Sequence, residues 1–107
     1  MVARGEVYWA ELGPPVGRRP VCVLTRDAAI AVLQAVTCAP VTTTLRGIRS
    51  ELQIGPTEGM TQTCAISCDN LLTIPKALLD ARPVGRLDEA RRAHLDRALR
   101  YALDIRY

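Results

Sequence analysis

Arginine and hydroxyl side chains cluster at two points of the sequence where they could act on a phosphate. One cluster is Arg-Arg-Pro at residues 18–20, and the other is Pro-Val-Thr-Thr-Thr at residues 40–44. A guanidinium group, hydroxyls and loop amides can together bind a phosphodiester and neutralise the charge that develops on it. Both clusters have a structural alternative, in which Arg19 pairs with an acid and the threonines only satisfy a turn. If the two clusters face one pocket, we expect phosphate chemistry there.

The sequence lacks the residues that histidine-based ribonucleases, nucleotide-binding enzymes and serine hydrolases need. The chain has one histidine, His94, which lies in an arginine-rich segment and is interpreted as a surface residue. A ribonuclease mechanism with two histidines is therefore excluded. The glycine patterns of P-loop and dinucleotide-binding proteins and the serine-hydrolase motif Gly-x-Ser-x-Gly are absent from the sequence. We expect no nucleotide cofactor.

The four cysteines do not have the spacing of a metal or redox site. Cys64 and Cys68 are separated by three residues and have no histidine nearby, while Cys22 and Cys38 lie in strand-like runs. Zinc sites and redox motifs typically use closer pairs of cysteines, often together with histidines. We therefore interpret all four as small buried hydrophobic residues, with no bound metal and no disulfide.

The composition is that of one small globular domain spanning residues 1–107. Hydrophobic residues make up 49% of the chain, which is enough for a hydrophobic core that needs no disulfide bond or structural metal ion. The sequence has no long apolar run and no secretory segment after Met1, so a soluble cytoplasmic protein is expected. The net charge is +3, and all basic residues except Lys76 are arginines. Either a GC-rich coding sequence or phosphate binding explains this preference for arginine.

Short strands are predicted to position the two clusters. Glycine and proline divide the chain into short apolar or β-branched runs, and residues 21–24 form a continuous apolar run typical of a strand covered on both faces. Residues 42–50 are polar and basic and are expected to form an exposed loop. The predicted strands are residues 6–12, 20–25, 35–41, 51–54, 63–67 and 70–74.

Two helices are also predicted. Asp27 is expected to cap a short helix over residues 28–33. Asp88 is expected to cap a C-terminal helix, in which apolar residues such as Leu95 and Leu99 recur at helical spacing and arginines occupy much of the rest. Many short strands with one terminal helix indicate a mostly β fold, a small antiparallel barrel or sheet with appended helices.

Five segments in order closely resemble the MazF/PemK toxins, and together they cover essentially the whole chain. The resemblance implies a mostly β fold, a small Src-homology-3-like antiparallel β-barrel of the CcdB/MazF/PemK toxin kind with a C-terminal helix, which forms a homodimer. The segments are residues 4–14 (RGEVYWAELGP), 17–21 (GRRPV), 39–47 (APVTTTLRG), 67–70 (SCDN) and 84–87 (VGRL).

The resemblance also implies an activity. It implies a metal-independent, sequence-specific endoribonuclease that cleaves single-stranded RNA, chiefly mRNA, to 2′,3′-cyclic phosphate and 5′-hydroxyl ends. It implies inhibition by a MazE-like antitoxin within a type II toxin–antitoxin system, and neither a cofactor nor a membrane. By position, Arg19 matches the family's catalytic arginine and Thr42 its catalytic threonine. The residues expected to contact RNA are Arg18, Thr43, Thr44, Arg46, Arg49, Glu51, Asp69 and Asn70.

Neither Arg19 nor Thr42 is suited to accept the proton that the RNA 2′-hydroxyl must lose. Arg19 can hold the phosphate and polarise the leaving oxygen, but a guanidinium group stays protonated and is a poor general base. Thr42 can donate a hydrogen bond to a phosphoryl oxygen, and Thr43 can replace it. Glu51 and Asp69 are the acids that could accept the proton of the RNA 2′-hydroxyl, and their alternative is a solvated or turn-forming role.

Two loops are also expected to affect RNA binding. Arg46 and Arg49 are expected to guide the RNA backbone, a salt-sensitive role. Between Leu12 and Arg19 the family often has a longer loop with a Gly-x-Glu element, which this sequence lacks.

The alternatives to a ribonuclease are a CcdB-like poison of DNA gyrase on the same fold and a catalytically silent homologue. Arg19 and Thr42 favour the ribonuclease, because a protein that binds gyrase needs no phosphate pocket.

Overall fold

Seven β-strands and two α-helices form the part of the chain that the computed structural model describes, residues 1–106. Two 3₁₀ turns, Pro56–Glu58 and Lys76–Leu78, connect some of them. The helices are α1 (Asp27–Ile30) and α2 (Glu89–Leu103). The strands are β1 (Glu6–Glu11), β2 (Arg18–Val23), β3 (Ala35–Thr42), β4 (Glu51–Ile54), β5 (Cys64–Ser67), β6 (Leu72–Pro75) and β7 (Gly85–Arg86).

The strands form a curled antiparallel sheet, a half-barrel with the order β4-β5-β3-β2-β1-β7. β3 is the longest strand and pairs with three others along its length. It pairs with β6 through residues 35–38, with β2 through residues 38–40 and with β5 through residues 41–42. The expected mostly β, antiparallel fold with a C-terminal helix is confirmed.

Both faces of the sheet are buried, because successive residues of β1 and β2 point into two separate apolar clusters. Val7 and Cys22 belong to the cluster that α2 covers, hereafter the helix-side core. Tyr8 and Val21 belong to a second cluster on the other face. This double burial accounts for the continuous apolar run at residues 21–24 and confirms that prediction.

The four cysteines are buried free thiols, as the sequence predicted. Burial raises the pKa of Cys22 and of Cys38 to about 12, and that of Cys68 to about 11. A thiol with such a pKa carries almost no thiolate at neutral pH. Cys22, Cys38 and Cys68 therefore pack as small hydrophobic residues and do not act as nucleophiles, and burial also raises the pKa of Cys64.

The C-terminal helix α2 begins where its sequence predicts. The side chain of Asp88 accepts a hydrogen bond from the backbone N–H of Arg91 (2.8 Å), which satisfies a free donor of the first turn. Leu95 and Ala98 are buried, whereas His94 is exposed. His94 is therefore a surface residue, as expected. No helix among residues 1–106 is long and apolar enough to cross a membrane.

The short helix α1 differs from its prediction. It ends at Ile30, and Asp27 is its first residue and makes no side-chain cap. The Asp27 carboxylate instead accepts a hydrogen bond from the backbone N–H of Arg4 at 2.7 Å. This contact with the N-terminal segment replaces the local cap, so the predicted cap was wrong.

Several strand boundaries also shift, because pairing partners decide where a strand ends. β2 begins at Arg18, two residues before the prediction, since it pairs with β1 as far as Glu11. β3 includes Thr42, which pairs with Ala65. β6 begins at Leu72 and not at residue 70, because the preceding residues turn between β5 and β6.

Two glycines bring separate segments of backbone into direct contact. A Cβ atom at Gly85 would lie 2.0 Å from the carbonyl oxygen of Glu58, and one at Gly59 would lie 2.2 Å from that of Val84. Gly59 also has a left-handed φ of +89°. The turn before β5 therefore closes against β7 with no room for a side chain at either position.

Ionisation of Tyr8 is expected to lower stability at high pH. Tyr8 is buried, and its hydroxyl donates a hydrogen bond to Oε1 of Glu6 at 2.9 Å. Burial, followed by this hydrogen bond, raises the pKa of Tyr8 from 10.0 to about 12. Because the folded state favours the neutral phenol, its contribution to stability is complete below about pH 10 and is lost as the pH rises through about 12.

Urea denaturation across this pH range tests the role of Tyr8. The free energy of unfolding of the parent protein should fall more steeply above about pH 10 than that of Tyr8→Phe, which has no phenol to ionise there. Tyr101→Phe is the matched control, because Tyr101 is exposed, and it should follow the parent. Equal slopes for the parent and Tyr8→Phe would contradict the prediction.

Candidate active site

A cleft opens at the point where β3 leaves β2. The last paired residues of the two strands are Val21 and Pro40, and β3 then pairs with β5. The gap between the diverging strands is a cleft of about 400 Å³. Arg19 and Thr42 each lie two residues beyond that last pair, on β2 and β3. Both residues line the cleft, so the two sequence clusters meet in one pocket.

Arg19 is available to a ligand. It is exposed, and no residue among 1–106 forms a hydrogen bond or ion pair with its side chain. The alternative in which Arg19 pairs with an acid is therefore not found in the described part of the chain. Its guanidinium fork can bind two oxygens of one phosphate.

The threonines at the end of β3 combine a local role with a free donor. The hydroxyl oxygen of Thr42 accepts a hydrogen bond from the backbone N–H of Thr44 at 3.1 Å. This bond fixes the turn into the following loop and leaves the hydroxyl proton of Thr42 free to donate. Thr43 and Thr44 are exposed and also line the cleft.

Arg18 also lines the cleft, but its charge is already compensated. Its Nη1 and Nη2 donate to the two carboxylate oxygens of Asp80 at 3.0 and 2.7 Å, and Nη1 also donates to Glu11 at 3.2 Å. The Arg18 hydrogen bonds hold the pKa of Asp80 below its usual value. The Arg18 guanidinium also lies 5.5 Å from the ring centroid of Trp9. Arg18 thus links Trp9 to the two carboxylates beside the cleft.

The two arginines of the basic loop lie outside the cleft. The backbone N–H of Arg46 donates to Oε1 of Glu51 at 3.1 Å, and its guanidinium lies 3.8 Å from Oε2. Arg49 lies over the ring of Tyr101 on α2, with its guanidinium carbon 4.4 Å from the ring centroid. Both arginines are exposed, and they extend the positive surface towards α2.

Glu51, Asp69 and Asn70 do not line the cleft either. The Glu51 side chain is only 5% exposed, so it is not solvated, and its Oε2 has no hydrogen-bond partner among residues 1–106. Asp69 accepts a hydrogen bond from the hydroxyl of Ser50 at 2.5 Å, and the Asn70 amide donates to the hydroxyl of Ser67 at 3.1 Å. Glu51 thus holds the middle of the 43–50 loop at Arg46, and Asp69 holds its last residue, Ser50, so both candidate bases are engaged by this loop outside the cleft.

Residues 3–103 match the sequence model of the PemK-like, MazF-like toxins of type II toxin–antitoxin systems. The chain belongs to this toxin family. A probable endoribonuclease MazF5 of Mycobacterium tuberculosis is 42% identical over 103 residues, which cover 95% of this chain and 93% of that relative. Endoribonuclease MazF3 of the same species is 39% identical over 87 residues, or 81% of this chain and 84% of that protein.

Solved structures of MazF toxins have the same fold. The M. tuberculosis toxin MazF-mt6 superposes with a TM-score of 0.87 at 35% identity, over 95% of this chain and 99% of that one. A mycobacterial endoribonuclease, solved in complex with its cognate antitoxin, gives a TM-score of 0.88 at 27% identity, over 100% and 99% of the two chains.

The cleft of this MazF-like toxin also contains residues that the sequence motifs did not assign to the site. Trp9 lies in a motif of the resemblance but had no role there, and the segment at residues 60–62 gave no signal in the sequence. That segment reaches the cleft because it precedes β5, which pairs with the end of β3. The residues added by the structure are Trp9, Pro20, Val41, Met60, Thr61, Gln62 and Cys64.

The MazF-like toxin offers no cluster of metal ligands in the part of the chain that the structure describes. Among residues 1–106, no group of three or more histidine, cysteine, aspartate or glutamate side chains is placed to hold a metal ion. The residues lining the cleft include no carboxylate and no histidine. The ionic chemistry available in the cleft is therefore that of guanidinium groups.

Proposed function

We propose that this chain is the toxin of a type II toxin–antitoxin pair and acts in the cytoplasm as a metal-independent, sequence-specific endoribonuclease on single-stranded RNA, chiefly mRNA. The observation that carries the proposal is that Arg19, an exposed arginine without a protein partner among the described residues, lines the same cleft as Thr42. Membership of the PemK/MazF family and the relatives named endoribonuclease support it.

Cleavage follows from placing an RNA phosphate between these two side chains. The 2′-hydroxyl of RNA attacks the adjacent phosphorus, and the bond from phosphorus to the 5′ oxygen breaks. The products are a 2′,3′-cyclic phosphate and a 5′-hydroxyl. Arg19 stabilises the charge that develops on the phosphoryl oxygens and polarises the leaving oxygen, while Thr42 donates a hydrogen bond to a phosphoryl oxygen.

Proton transfer is assigned to solvent. An arginine side chain is a poor base, and the described residues that line the cleft include no acid. Water in the open cleft therefore accepts the 2′ proton and returns one to the 5′ oxygen. The rate enhancement then comes mainly from electrostatic stabilisation and from the geometry of the bound phosphate.

The partners of the chain follow from the same family. We infer that a MazE-like antitoxin holds the toxin inactive and that the toxin is a homodimer. A similar mycobacterial endoribonuclease was solved with its cognate antitoxin, which supports the first inference. An acidic, partly disordered antitoxin tail would complement the exposed arginines of the 43–50 loop, Arg46 and Arg49. The same arginines would guide the RNA backbone when the antitoxin is absent.

Incubation of the purified protein with a long single-stranded RNA in excess EDTA tests the function. We expect fragments with 5′-hydroxyl ends, cut at one recurring short sequence. Mapping of the ends gives that recognition sequence directly. Intact RNA at an excess of folded protein would contradict the proposal. An assay of DNA gyrase inhibition then separates the CcdB-like alternative from a silent homologue.

A further inference from the structure

We propose that the apolar floor of the cleft and its wall at residues 61–62 form a base subsite, which binds and reads the nucleobase next to the cleaved phosphate. This inference rests on the proposed ribonuclease function and adds the residues that select the RNA sequence. The base subsite consists of the floor residues Trp9, Val41, Met60 and Cys64 and the wall residues Thr61 and Gln62.

The floor is the open end of the helix-side core. Val41 and Cys64 belong to that core and are 3% and 1% exposed, and Met60 packs against it. An apolar floor gives a phosphate no hydrogen-bond donors, but it suits the flat face of a base. With the phosphate at Arg19 and Thr42 on the rim, the attached nucleotide can place its base on this floor.

Trp9 adds an aromatic face whose position is fixed. It is 37% exposed and lines the cleft. Arg18 lies over its ring, and Asp80 and Glu11 hold Arg18 by hydrogen bonds. An immobilised ring loses little conformational entropy when a base stacks on it. The ion-paired network around Arg18 therefore positions Trp9 for stacking.

The wall supplies the polar groups that distinguish one base from another. Thr61 and Gln62 are exposed, and no residue among 1–106 hydrogen-bonds to either side chain. The Gln62 amide carries donors and an acceptor, so it can pair with two neighbouring groups on the edge of a base. Bases differ in the order of these groups. The floor and wall carry no cationic side chain, which favours a base over an acidic peptide.

Fluorescence of Trp9 tests the base subsite directly, because Trp9 is the one tryptophan in the chain. The probes are short 2′-O-methyl RNAs, which lack the attacking hydroxyl and cannot be cleaved, in a set that differs at one position. The parent should show quenching of Trp9, with clearly different affinities across the set. Gln62→Ala should keep the quenching and lose roughly tenfold or more of this discrimination.

Gln34→Ala is the matched control. Gln34 is an exposed glutamine that precedes β3, at the opposite end of that strand from Thr42, and its variant should behave like the parent. RNAs that bind, as judged by fluorescence polarisation, without affecting Trp9 would overturn the proposal. Unchanged discrimination in Gln62→Ala would also overturn it. Quenching by poly-glutamate in place of RNA would show a peptide site and overturn it as well.

The two proposals fail in different ways. Cleavage of RNA in EDTA without quenching by the uncleavable probes would overturn the base subsite and leave the ribonuclease standing. Base-selective quenching by the parent, with the selectivity but not the quenching lost in Gln62→Ala, and no cleavage of normal RNA would support the subsite and overturn the ribonuclease.

Discussion

Replacing Arg19 by alanine is expected to lower the rate of RNA cleavage by at least about a hundredfold, the cost of removing one preorganised group that stabilises developing charge. Arg19 lines the cleft together with Thr42 and has no protein partner among the described residues, so its charge is free to act on a phosphate. The measurement is kcat/KM on an oligonucleotide that contains the mapped cleavage sequence. Thermal unfolding should be unchanged, because an exposed side chain without contacts contributes little to stability.

Two further variants separate the guanidinium group from its charge. Arg19→Lys keeps the positive charge but loses the planar fork, so its activity should lie between those of the parent and Arg19→Ala. Arg86→Ala removes one charge from β7, where Arg86 is exposed and has no described partner, and should stay within about threefold of the parent. If Arg19→Ala is no slower than Arg86→Ala, Arg19 has no role in catalysis.

The substitution Gly85→Ala is expected to destabilise the fold by about 2–4 kcal/mol, at the upper end of overpacking effects. The new Cβ would lie 2.0 Å from the carbonyl oxygen of Glu58 and 2.6 Å from its carbonyl carbon. Both are backbone atoms, so no side chain can rotate away to relieve the overlap. Urea denaturation gives the free energy of unfolding that tests this.

Two other glycines serve as controls for Gly85. Gly55 has extended backbone, and the nearest atom to its added Cβ is the Thr63 hydroxyl at 4.0 Å, so Gly55→Ala should change stability by less than about 0.5 kcal/mol. Gly13 has a φ of +73° and no atom within 4 Å, so Gly13→Ala should cost about 1 kcal/mol from backbone strain alone. A Gly85→Ala variant as stable as Gly55→Ala would refute the close backbone contact.

The sequence predicted correctly those features that depend only on neighbouring residues in the chain. The capping aspartate and apolar spacing of α2 are properties of the helix itself, so they were visible in the sequence around Asp88 and Leu95. Burial of the four cysteines followed in the same way from their surroundings in the chain. The cap of α1 was mispredicted, because the Asp27 carboxylate accepts a hydrogen bond from a backbone N–H that lies 23 residues away.

The sequence predicted the catalytic side of the candidate site but not the residues that complete the cleft. The arginine and threonine clusters were recognisable by residue type, and family resemblance singled out Arg19 and Thr42. The exchange of partners by β3 after Pro40 was not predictable, because strand pairing depends on residues far along the chain. That exchange opens the cleft and brings Gln62 to it. For the same reason the sequence did not reveal that Glu51 is buried under its loop.

The wall of the base subsite lies at residues 61–62, outside every strand, whereas Arg19 and Thr42 lie on β2 and β3. Substitutions in that connecting segment leave the hydrogen bonds of the sheet intact, while those in β3 disturb its pairing with three neighbouring strands. The proposed base subsite thus places target choice on a connecting segment and bond breaking on the sheet, so that a substitution can change one without the other.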